Sequence, residues 1–372
     1  MPVLARSDKS ILGRWWWTVD RWTLAALVVL IGFGILLIQA ASPAVAVKDK
    51  LDNFYFVERH LIMLVPAVLI IFGISLLQPR TVRWLAACLL PIFMLLLVAT
   101  LFWGVEIKGA TRWLHAPGIS VQPSEFVKPL FAVTAAWLFS RQCERRGFPA
   151  LSVNIILYMM IVICLLMQPD IGMTFLVSAM WFGQFFLAGL PLALVGLCMG
   201  AGIGGLFLAY YTFPHFTSRV DKFLTHGGDT YQVDRALDAF TNGGLFGTGP
   251  GEGTVKMSIP DAHADFVFAV AGEELGLIWC LIIVALFAFI VLRGFWRLQH
   301  ENNLFIVLAV SGLLIEFGLQ AIINMASTLH LMPAKGMTLP FISYGGSSLW
   351  SLALGMGMLL ALTRKRYGLN EI

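Results

Sequence analysis

Charged residues are scarce in this chain. Only 12% of its 372 residues are Asp, Glu, Lys or Arg, whereas 59% are hydrophobic and the mean hydropathy is +0.83. Soluble domains carry about 25% charged residues. The composition therefore excludes a soluble fold and indicates an integral membrane protein.

The sequence also lacks the motifs of several common functions. Its seven histidines show no zinc-ligand spacing and there is no Walker A sequence, so neither a zinc enzyme nor an ATP-driven pump is indicated. No two of the five cysteines fall together on the predicted outer side, so no disulfide is expected. The net charge of +4 follows from membrane topology and gives no reason to expect a nucleic-acid partner.

Apolar runs of membrane-crossing length are abundant. Because a membrane helix needs about 20 largely apolar residues, we predict an all-α integral membrane protein with about ten transmembrane helices. The predicted spans are Trp22–Ala41, Leu61–Leu77, Trp84–Gly104, Glu125–Ser140, Leu151–Met167, Ile171–Gly189, Pro191–Tyr211, Phe266–Leu292, Leu304–Ser327 and Gly345–Thr363.

Basic residues predict the orientation of these spans. They concentrate in one set of short loops, which the positive-inside rule places in the cytoplasm with both termini. A single transmembrane domain then covers residues 22–363, between an N-terminal tail (1–21) with a Trp and Arg interfacial anchor and a C-terminal tail (364–372). A long periplasmic loop, 212–264, joins the seventh and eighth spans.

The long loop contains two recognisable segments. Residues Tyr231–Asn242 have an amphipathic pattern, which predicts a short helix lying over the outer membrane surface. The glycine-rich run Gly247–Gly253 superficially resembles a phosphate loop. No strand precedes it and it contains a proline, so we interpret it as a flexible turn.

The segment Asp261–Leu277 places four carboxylates and a histidine where this loop enters the eighth span. On a continuous helix Asp265 and Glu273 would lie about 12 Å apart along one face, with Asp265 near water and Glu273 buried. Ionisable groups at that depth normally face a wet cavity or a bundle interior. The pattern predicts a site open to the outer side; a helix cap with an internal ion pair is the alternative.

Further polar residues stand at the outer ends of other spans. Glu125 and Lys128 are neighbours at the start of the fourth span, either as an intrahelical ion pair or as a charge pair lining a site. Lys108 and Arg112 share the preceding loop, where Arg112 would bind an anion or anchor at lipid headgroups.

The last two spans add a polar stripe and an irregular segment. Glu316, Gln320 and Asn324 recur on one face of the ninth span, a pattern typical of contacts between helices. The segment Pro333–Ser348 is rich in glycines and hydroxyls and is predicted to be non-helical, so it must be buried in protein or line a wet cavity.

Seven motifs together resemble the SEDS family (shape, elongation, division and sporulation), and they occur in the family's order from about Trp22 to Arg366. The motifs are Lys108-Gly-Ala-Thr-Arg-Trp-Leu114, Gln122-Pro-Ser-Glu-Phe-Val-Lys128, Gln168-Pro-Asp-Ile-Gly172, Gly243-Gly-Leu-Phe-Gly-Thr-Gly249, His263-Ala-Asp-Phe266, Glu273-Glu-Leu-Gly276 and Pro340-Phe-Ile-Ser-Tyr-Gly-Gly-Ser-Ser348. Within the family, Ala334–Phe341 looks like the cell-division branch rather than the elongation branch, which usually lacks the lysine and threonine found here.

The resemblance implies a ten-helix protein of the bacterial inner membrane at the division septum. It implies peptidoglycan glycosyltransferase activity on lipid II, beside a class B penicillin-binding protein (the septal transpeptidase) and other divisome proteins. The family's essential aspartate falls on Asp265, and its glutamate and lysine of the fourth span fall on Glu125 and Lys128. The further candidate substrate contacts are Lys108, Arg112, Glu273, Lys335 and Ser343.

The chemistry expected of such a site fits these residues. A carboxylate can act as general base on a sugar hydroxyl, and basic residues such as Lys128 and Arg112 can hold the departing pyrophosphate, with a divalent cation as an open alternative and no other cofactor predicted. Two other functions remain open from sequence. A lipid II flippase would use the same charges for passage, and a scaffold that recruits the transpeptidase would need no chemistry.

Overall fold

The computed structural model describes residues 10–48, 50–107, 110–116, 119–144, 149–189, 231–333 and 336–365, together with scattered positions between 196 and 221. The helices and strands of the first half are α1 (Ile11–Thr18), α2 (Arg21–Ala46), α3 (Tyr55–Ser75), α4 (Pro79–Trp103), β1 (Val105–Ile107), β2 (Ala110–Ala116), β3 (Ile119–Val121), α5 (Pro123–Glu144), α6 (Ala150–Met167) and α7 (Ile171–Leu187). Those of the second half are α8 (Tyr231–Gly243), a 3₁₀ turn (Val255–Ser258), α9 (Val267–Glu274), α10 (Leu277–Leu298), α11 (Leu304–Thr328) and α12 (Gly346–Leu362).

The helices are those of a multi-pass membrane protein. Six of them, α2, α3, α4, α6, α10 and α11, are long and apolar enough to cross a bilayer, and α7 and α12 are shorter apolar helices. The boundary predicted between the fifth and sixth spans is confirmed, since α6 ends at Met167 and α7 begins at Ile171. The predicted seventh span, Pro191–Tyr211, lies largely outside the described residues.

Three helices, α5, α11 and α12, form the centre of the fold. In α11, 72% of the most apolar stretch is buried inside the protein, against 22–44% in the other five long helices. Almost every residue of α12 is buried as well, and so are Val127–Ala136 of α5. Polar side chains on these central helices therefore face protein rather than lipid, which is where a membrane protein tolerates them.

The first and last described segments, around Thr18 and Lys365, meet at one end of the helix bundle, called here the terminal end. The Lys365 amide donates to the Thr18 carbonyl at 2.9 Å, and Arg364 donates to the Thr18 hydroxyl. Buried Asp20, which precedes α2, accepts two bonds from Arg293 Nε and pairs with Arg297 Nη1 at 3.2 Å. Burial by itself would raise the pKa of Asp20, but the hydrogen bonds and charges of these partners outweigh it and lower the pKa. Asp20 is therefore ionised at neutral pH and forms ion pairs with Arg293 and Arg297.

The prediction of one continuous eighth span, Phe266–Leu292, is wrong. The chain forms α9 and α10 with a break at Gly276, whose φ of 87° is in the left-handed region that favours glycine. The break has a clear cause, because the amides of Leu277 and Ile278 at the start of α10 donate to the carbonyls of Gly244 and Leu245 at 3.0 and 3.3 Å. Asp265 lies in the turn before α9, so the prediction that it shares a helix face with Glu273 is also wrong.

The described part of the long loop is ordered by contacts with α9. The predicted amphipathic helix is confirmed as α8, but its buried face, Val233, Ala236 and Ala239, packs on protein rather than over the membrane surface. The run Gly247–Gly253 is not the flexible turn that we predicted. The amides of Thr248 and Gly249 donate to the carbonyls of Glu273 and Glu274 at 2.9 and 3.1 Å, which ties the run to the end of α9.

The loop that carries Arg112 forms a small antiparallel sheet that sequence analysis missed. Its strands follow the order β1-β2-β3, and Leu114 of β2 pairs with Val121 of β3. The chain then enters α5 directly after Gln122, whose amide donates to the Ser347 hydroxyl of α12 at 3.0 Å. The sheet thus lies at the end of the bundle opposite to the terminal end, called here the distal end.

Candidate active site at the distal end of the central helices

Lys128 is the most deeply buried cation among the described residues. Its side chain is fully buried, and its Nζ contacts Glu125 Oε2 at 2.8 Å and Gln320 Oε1 at 2.7 Å. The Ser351 hydroxyl donates to Glu125 Oε2 at 3.4 Å. Glu125 and Lys128 are therefore neighbours, as predicted. They are more than an intrahelical pair, because Lys128 also binds Gln320 and so joins α5 to α11.

A second carboxylate, Glu316, adds to the electrostatics of this cluster. It lies one turn from Gln320 on α11, is buried, and interacts with the charges of Lys128 and Glu125. The buried ammonium of Lys128 needs close partners, since an unpaired buried charge is very costly, and it has them in Glu125 and Gln320. This arrangement holds Lys128 in one place.

The polar stripe on α11 also contacts the irregular residues 336–345 before α12, called here the distal segment. Gln320 Nε2 donates to the Thr338 carbonyl at 3.1 Å, and the Thr338 hydroxyl lies 2.6 Å from the Ser348 hydroxyl at the start of α12. The non-helical conformation predicted for Pro333–Ser348 is confirmed for residues 336–345, whereas Gly346–Ser348 already belong to α12. Backbone carbonyls of this irregular segment, those of Met337 and Thr338, are thus satisfied by side chains of α11.

Asp265 is held beside the same segment. Asn324 Nδ2, one turn beyond Gln320, donates to the Asp265 carbonyl at 2.9 Å and also to the Met337 carbonyl. The side chain of Asp265 is half-buried, and a Cβ added to Gly336 would lie 3.2 Å from its Oδ2. The carboxylate therefore faces the distal segment and retains access to solvent.

These contacts unite residues that the sequence had suggested separately. Asp265 connects to Asn324, Gln320 connects Thr338 to Lys128, and Lys128 pairs with Glu125. We call these six residues the distal polar unit: Asp265, Asn324, Gln320, Thr338, Lys128 and Glu125. Sequence reasoning interpreted the stripe on α11 as contacts between helices; the structure places these contacts at the candidate site itself.

Arg112, predicted to bind an anion or to anchor at lipid headgroups, contacts groups of the protein itself. Its Nε lies 3.2 Å from Asp170 Oδ2, and its Nη2 donates to the Pro169 carbonyl at 3.0 Å. Asp170 also caps α7 by accepting from the Met173 amide at 3.2 Å. The guanidinium therefore ties the distal sheet to the junction of α6 and α7.

Four further residues were predicted to contact the substrate, namely Ser343, Glu273, Lys108 and Lys335. Buried Ser343 accepts a hydrogen bond from the Leu339 amide at 2.8 Å, and fully buried Glu273 is engaged by the long loop. Lys108 and Lys335 lie outside the described residues. Within the described ranges, no group of three His, Cys, Asp or Glu residues could hold a metal ion.

Comparison with known proteins gives consistent matches over nearly the whole chain. Residues 21–368 match the cell cycle protein family of FtsW, RodA and SpoVE. The chain is 43% identical over 368 residues to the probable peptidoglycan glycosyltransferase FtsW of Caulobacter vibrioides, covering 98% of this chain and 94% of that protein. It is 33% identical to the protein of the same name from Coxiella burnetii, covering 93% and 96%.

Solved structures show the same fold. One, from work on the structural coordination of polymerization and crosslinking by a peptidoglycan synthase complex, has a TM-score of 0.77 and 26% identity, covering 93% of this chain and 97% of that one. The rod shape determining protein RodA of Thermus thermophilus has a TM-score of 0.68 and 26% identity, covering 94% and 97%. The chain therefore belongs to the FtsW, RodA and SpoVE family, the SEDS family that its motifs resemble.

Proposed function

We propose that this chain is a peptidoglycan glycosyltransferase that polymerises lipid II during septal cell-wall synthesis. The observation that carries the proposal is the distal polar unit. In it Asn324 of α11 holds the main chain of Asp265, and Gln320, one turn away on the same helix, binds Lys128 of the buried Lys128–Glu125 pair. The family relationship supports it, since the relatives named above are probable peptidoglycan glycosyltransferases.

In the proposed reaction Asp265 is the general base. The 4-hydroxyl of the acceptor disaccharide attacks the anomeric carbon of the donor, and a new glycosidic bond forms as the bond to the pyrophosphate oxygen breaks. Asp265 accepts the hydroxyl proton, and undecaprenyl pyrophosphate leaves with the bonding electrons. Base catalysis of this kind contributes about 10²–10⁴-fold. The half-burial of Asp265 suits this role, because the carboxylate is partly desolvated yet open to substrate.

Cationic side chains would stabilise the negative charge on the departing pyrophosphate. We propose Lys128 for this role, with Glu125 orienting it, and Arg112, Lys108 and Lys335 as further basic groups. Because the buried hydroxyl oxygen of Ser343 accepts a hydrogen bond from the Leu339 amide, we assign this residue to shaping the distal segment. A divalent cation, for which a carboxylate such as that of Asp265 would be the ligand, would supply additional charge neutralisation.

The family relationship supports a proposal for the partner and the location of this chain. One solved relative belongs to a peptidoglycan synthase complex that coordinates polymerization and crosslinking. By analogy we propose that this chain works beside a class B penicillin-binding protein, the septal transpeptidase, and other divisome proteins in the bacterial inner membrane. We further propose that it has ten spans, that both termini are cytoplasmic and that the 212–264 loop is periplasmic.

The orientation can be tested with thiol chemistry in intact spheroplasts. Thr241→Cys places a thiol on an exposed position of the long loop, while native Cys143 is exposed at the end of α5 predicted to be cytoplasmic. We expect an impermeant maleimide to label the thiol introduced by Thr241→Cys in intact spheroplasts, and to label Cys143 only after lysis. The reverse pattern would overturn the orientation.

The catalytic proposal is tested with purified protein and labelled lipid II. We expect a ladder of glycan strands from the chain together with its transpeptidase whose crosslinking serine has been blocked. A sample containing only that transpeptidase controls for contaminating polymerases. Absence of a ladder, with both proteins folded and associated, would contradict the proposal.

A further inference from the structure

Glu273 lies at the end of α9 with no exposed surface, and both oxygens of its carboxylate accept hydrogen bonds from the long loop. Oε1 accepts from Asn242 Nδ2 at 3.0 Å and from the Val255 amide at 2.7 Å, and Oε2 accepts from the Lys256 amide at 2.8 Å. Its main-chain carbonyl accepts from both the amide and the hydroxyl of Thr248, at 2.9 and 3.1 Å. One residue thus binds four residues of the loop.

The neighbouring Glu274 provides a second attachment. It forms a buried ion pair with Lys256, and its carbonyl accepts from the Gly249 amide at 3.1 Å. Lys256 Nζ also lies 3.4 Å from the Gly251 carbonyl. Both charges are removed from water and compensated by each other, so the pair requires the loop and the helix end to keep a fixed geometry.

Glycines allow this close approach. A Cβ added to Gly243 would lie 2.0 Å from the Gly272 carbonyl oxygen, and one added to Gly247 would lie 2.1 Å from that of Glu274. A Cβ on Gly253 would lie 2.9 Å from Glu273 Cδ. The loop backbone is therefore fitted against the end of α9 at three separate points.

The attached loop continues into the segment that carries Asp265. After the 3₁₀ turn at Val255–Ser258, the residues Ile259, Ala262 and Phe266 are buried. They share an apolar cluster with residues of α8, α9, α2 and α3, namely Val233, Ala236, Ala239, Ala269, Val270, Ala41, Val45 and Phe56. A displacement of the loop would therefore move the backbone of Asp265.

We propose that Glu273 is a positioning residue for Asp265: its carboxylate latches residues 242–256 onto α9 and so fixes the catalytic segment. The inference rests on the proposed function of Asp265 and replaces the predicted role of Glu273 as a substrate contact. Both oxygens of the carboxylate accept hydrogen bonds from the loop, so this side chain binds the loop rather than a lipid. Asn324 holds the same segment from the opposite side, through the Asp265 carbonyl.

The informative variant is Glu273→Gln. Three N–H donors converge on the carboxylate, and an amide in its place would direct an NH₂ group at one of them, leaving a buried donor unsatisfied. We expect the polymerisation kcat to fall by about 10²-fold, the scale of a misplaced catalytic group. We expect KM for lipid II to change little, and Glu273→Asp, which keeps the charge, to recover part of kcat.

A readout independent of activity is tryptic cleavage after Lys256, whose side chain is buried by the latch. We expect faster cleavage in Glu273→Gln than in wild type, measured in detergent well below the melting temperature of both proteins. The matched control is Glu252→Gln, an exposed carboxylate of the same loop, which should behave as wild type in both assays. If Glu273→Gln fails to fold, Asn242→Ala removes a single latch bond and should show the same two changes to a smaller extent.

The outcomes separate the possibilities. Wild-type kcat together with wild-type protection of Lys256 in Glu273→Gln overturns the latch. A raised KM with unchanged protection would instead restore Glu273 as a substrate contact and also overturn it. If the wild-type protein makes no polymer, the proposed function fails, whereas the proteolysis result still decides whether Glu273 holds the loop.

Discussion

Asp265→Asn is expected to abolish glycan polymerisation, with a loss of about 10²–10⁴-fold or more in the rate of strand formation. The amide keeps the shape of the side chain but cannot accept the proton of the acceptor hydroxyl. The contact that anchors this residue is made by its main-chain carbonyl with Asn324, so the substitution leaves it intact. Expression, melting temperature and binding to the transpeptidase should therefore match those of wild type.

The control for Asp265→Asn is Asp238→Asn, which removes an exposed carboxylate of α8 that pairs with Arg235 at 3.0 Å. Exposed ion pairs contribute little, about 0.2–1 kcal/mol, so this variant should polymerise normally. Robust polymerisation by the Asp265→Asn protein would end the assignment of a general base. A scaffold without chemistry would show no difference between the two variants.

Lys128→Met is expected to reduce polymerisation about as severely. It removes the cation proposed to meet the pyrophosphate, and it leaves Glu125 and Glu316 buried without it. Breaking a buried ion pair from one side costs about 3–5 kcal/mol, far more than the roughly 0.2–0.5 kcal/mol of an exposed helical pair. Stability must therefore be measured together with rate, by thermal unfolding in detergent.

The double variant Glu125→Gln/Lys128→Met separates folding from catalysis. It removes both charges of the pair, so we expect part of the lost melting temperature to return while polymerisation stays absent. If the pair only stabilised the helices, activity would return with stability. Near-normal activity in the single variants Glu125→Gln and Lys128→Met would equally contradict a role at the site.

Much of the helical framework could be predicted from hydropathy and turn residues. The break between α6 and α7 follows from Gln168-Pro-Asp170, and α8 follows from its amphipathic pattern. The break at Gly276 was not predicted, because the apolar runs 266–271 and 277–292 on either side, with the two glutamates between them, were interpreted as one span. What interrupts the helix is a distant loop whose carbonyls at Gly244 and Leu245 replace the helical acceptors of α10.

The candidate site was predictable only in its parts. The spacing of Glu125 and Lys128 and the position of Asp265 at the membrane boundary pointed to polar chemistry. Their connection depends on how α11 packs against α5 and against the distal segment, which brings Gln320 to Lys128 across 192 positions of sequence. Periodicity shows that Gln320 and Asn324 share a face of a helix, but it cannot say which groups that face will meet.

Glu273 illustrates the same limit. Its depth in a predicted span suggested a functional carboxylate, and burial is indeed complete. Two of its partners are the backbone amides of Val255 and Lys256. Every residue except proline has such an amide, so the sequence does not indicate which amides will bind a carboxylate. Backbone donors of a folded loop become visible only in three dimensions.

The most direct test of the central claim is to follow lipid II in vesicles that contain the purified protein and its crosslinking-blocked transpeptidase. One sample would report both strand formation, by gel, and transfer of labelled lipid II between leaflets. Our account predicts a glycan ladder from the wild-type protein and none from Asp265→Asn, with no faster transfer in either. Rapid transfer that depends on Asp265, with no polymer from the wild-type protein, would contradict it and favour a flippase.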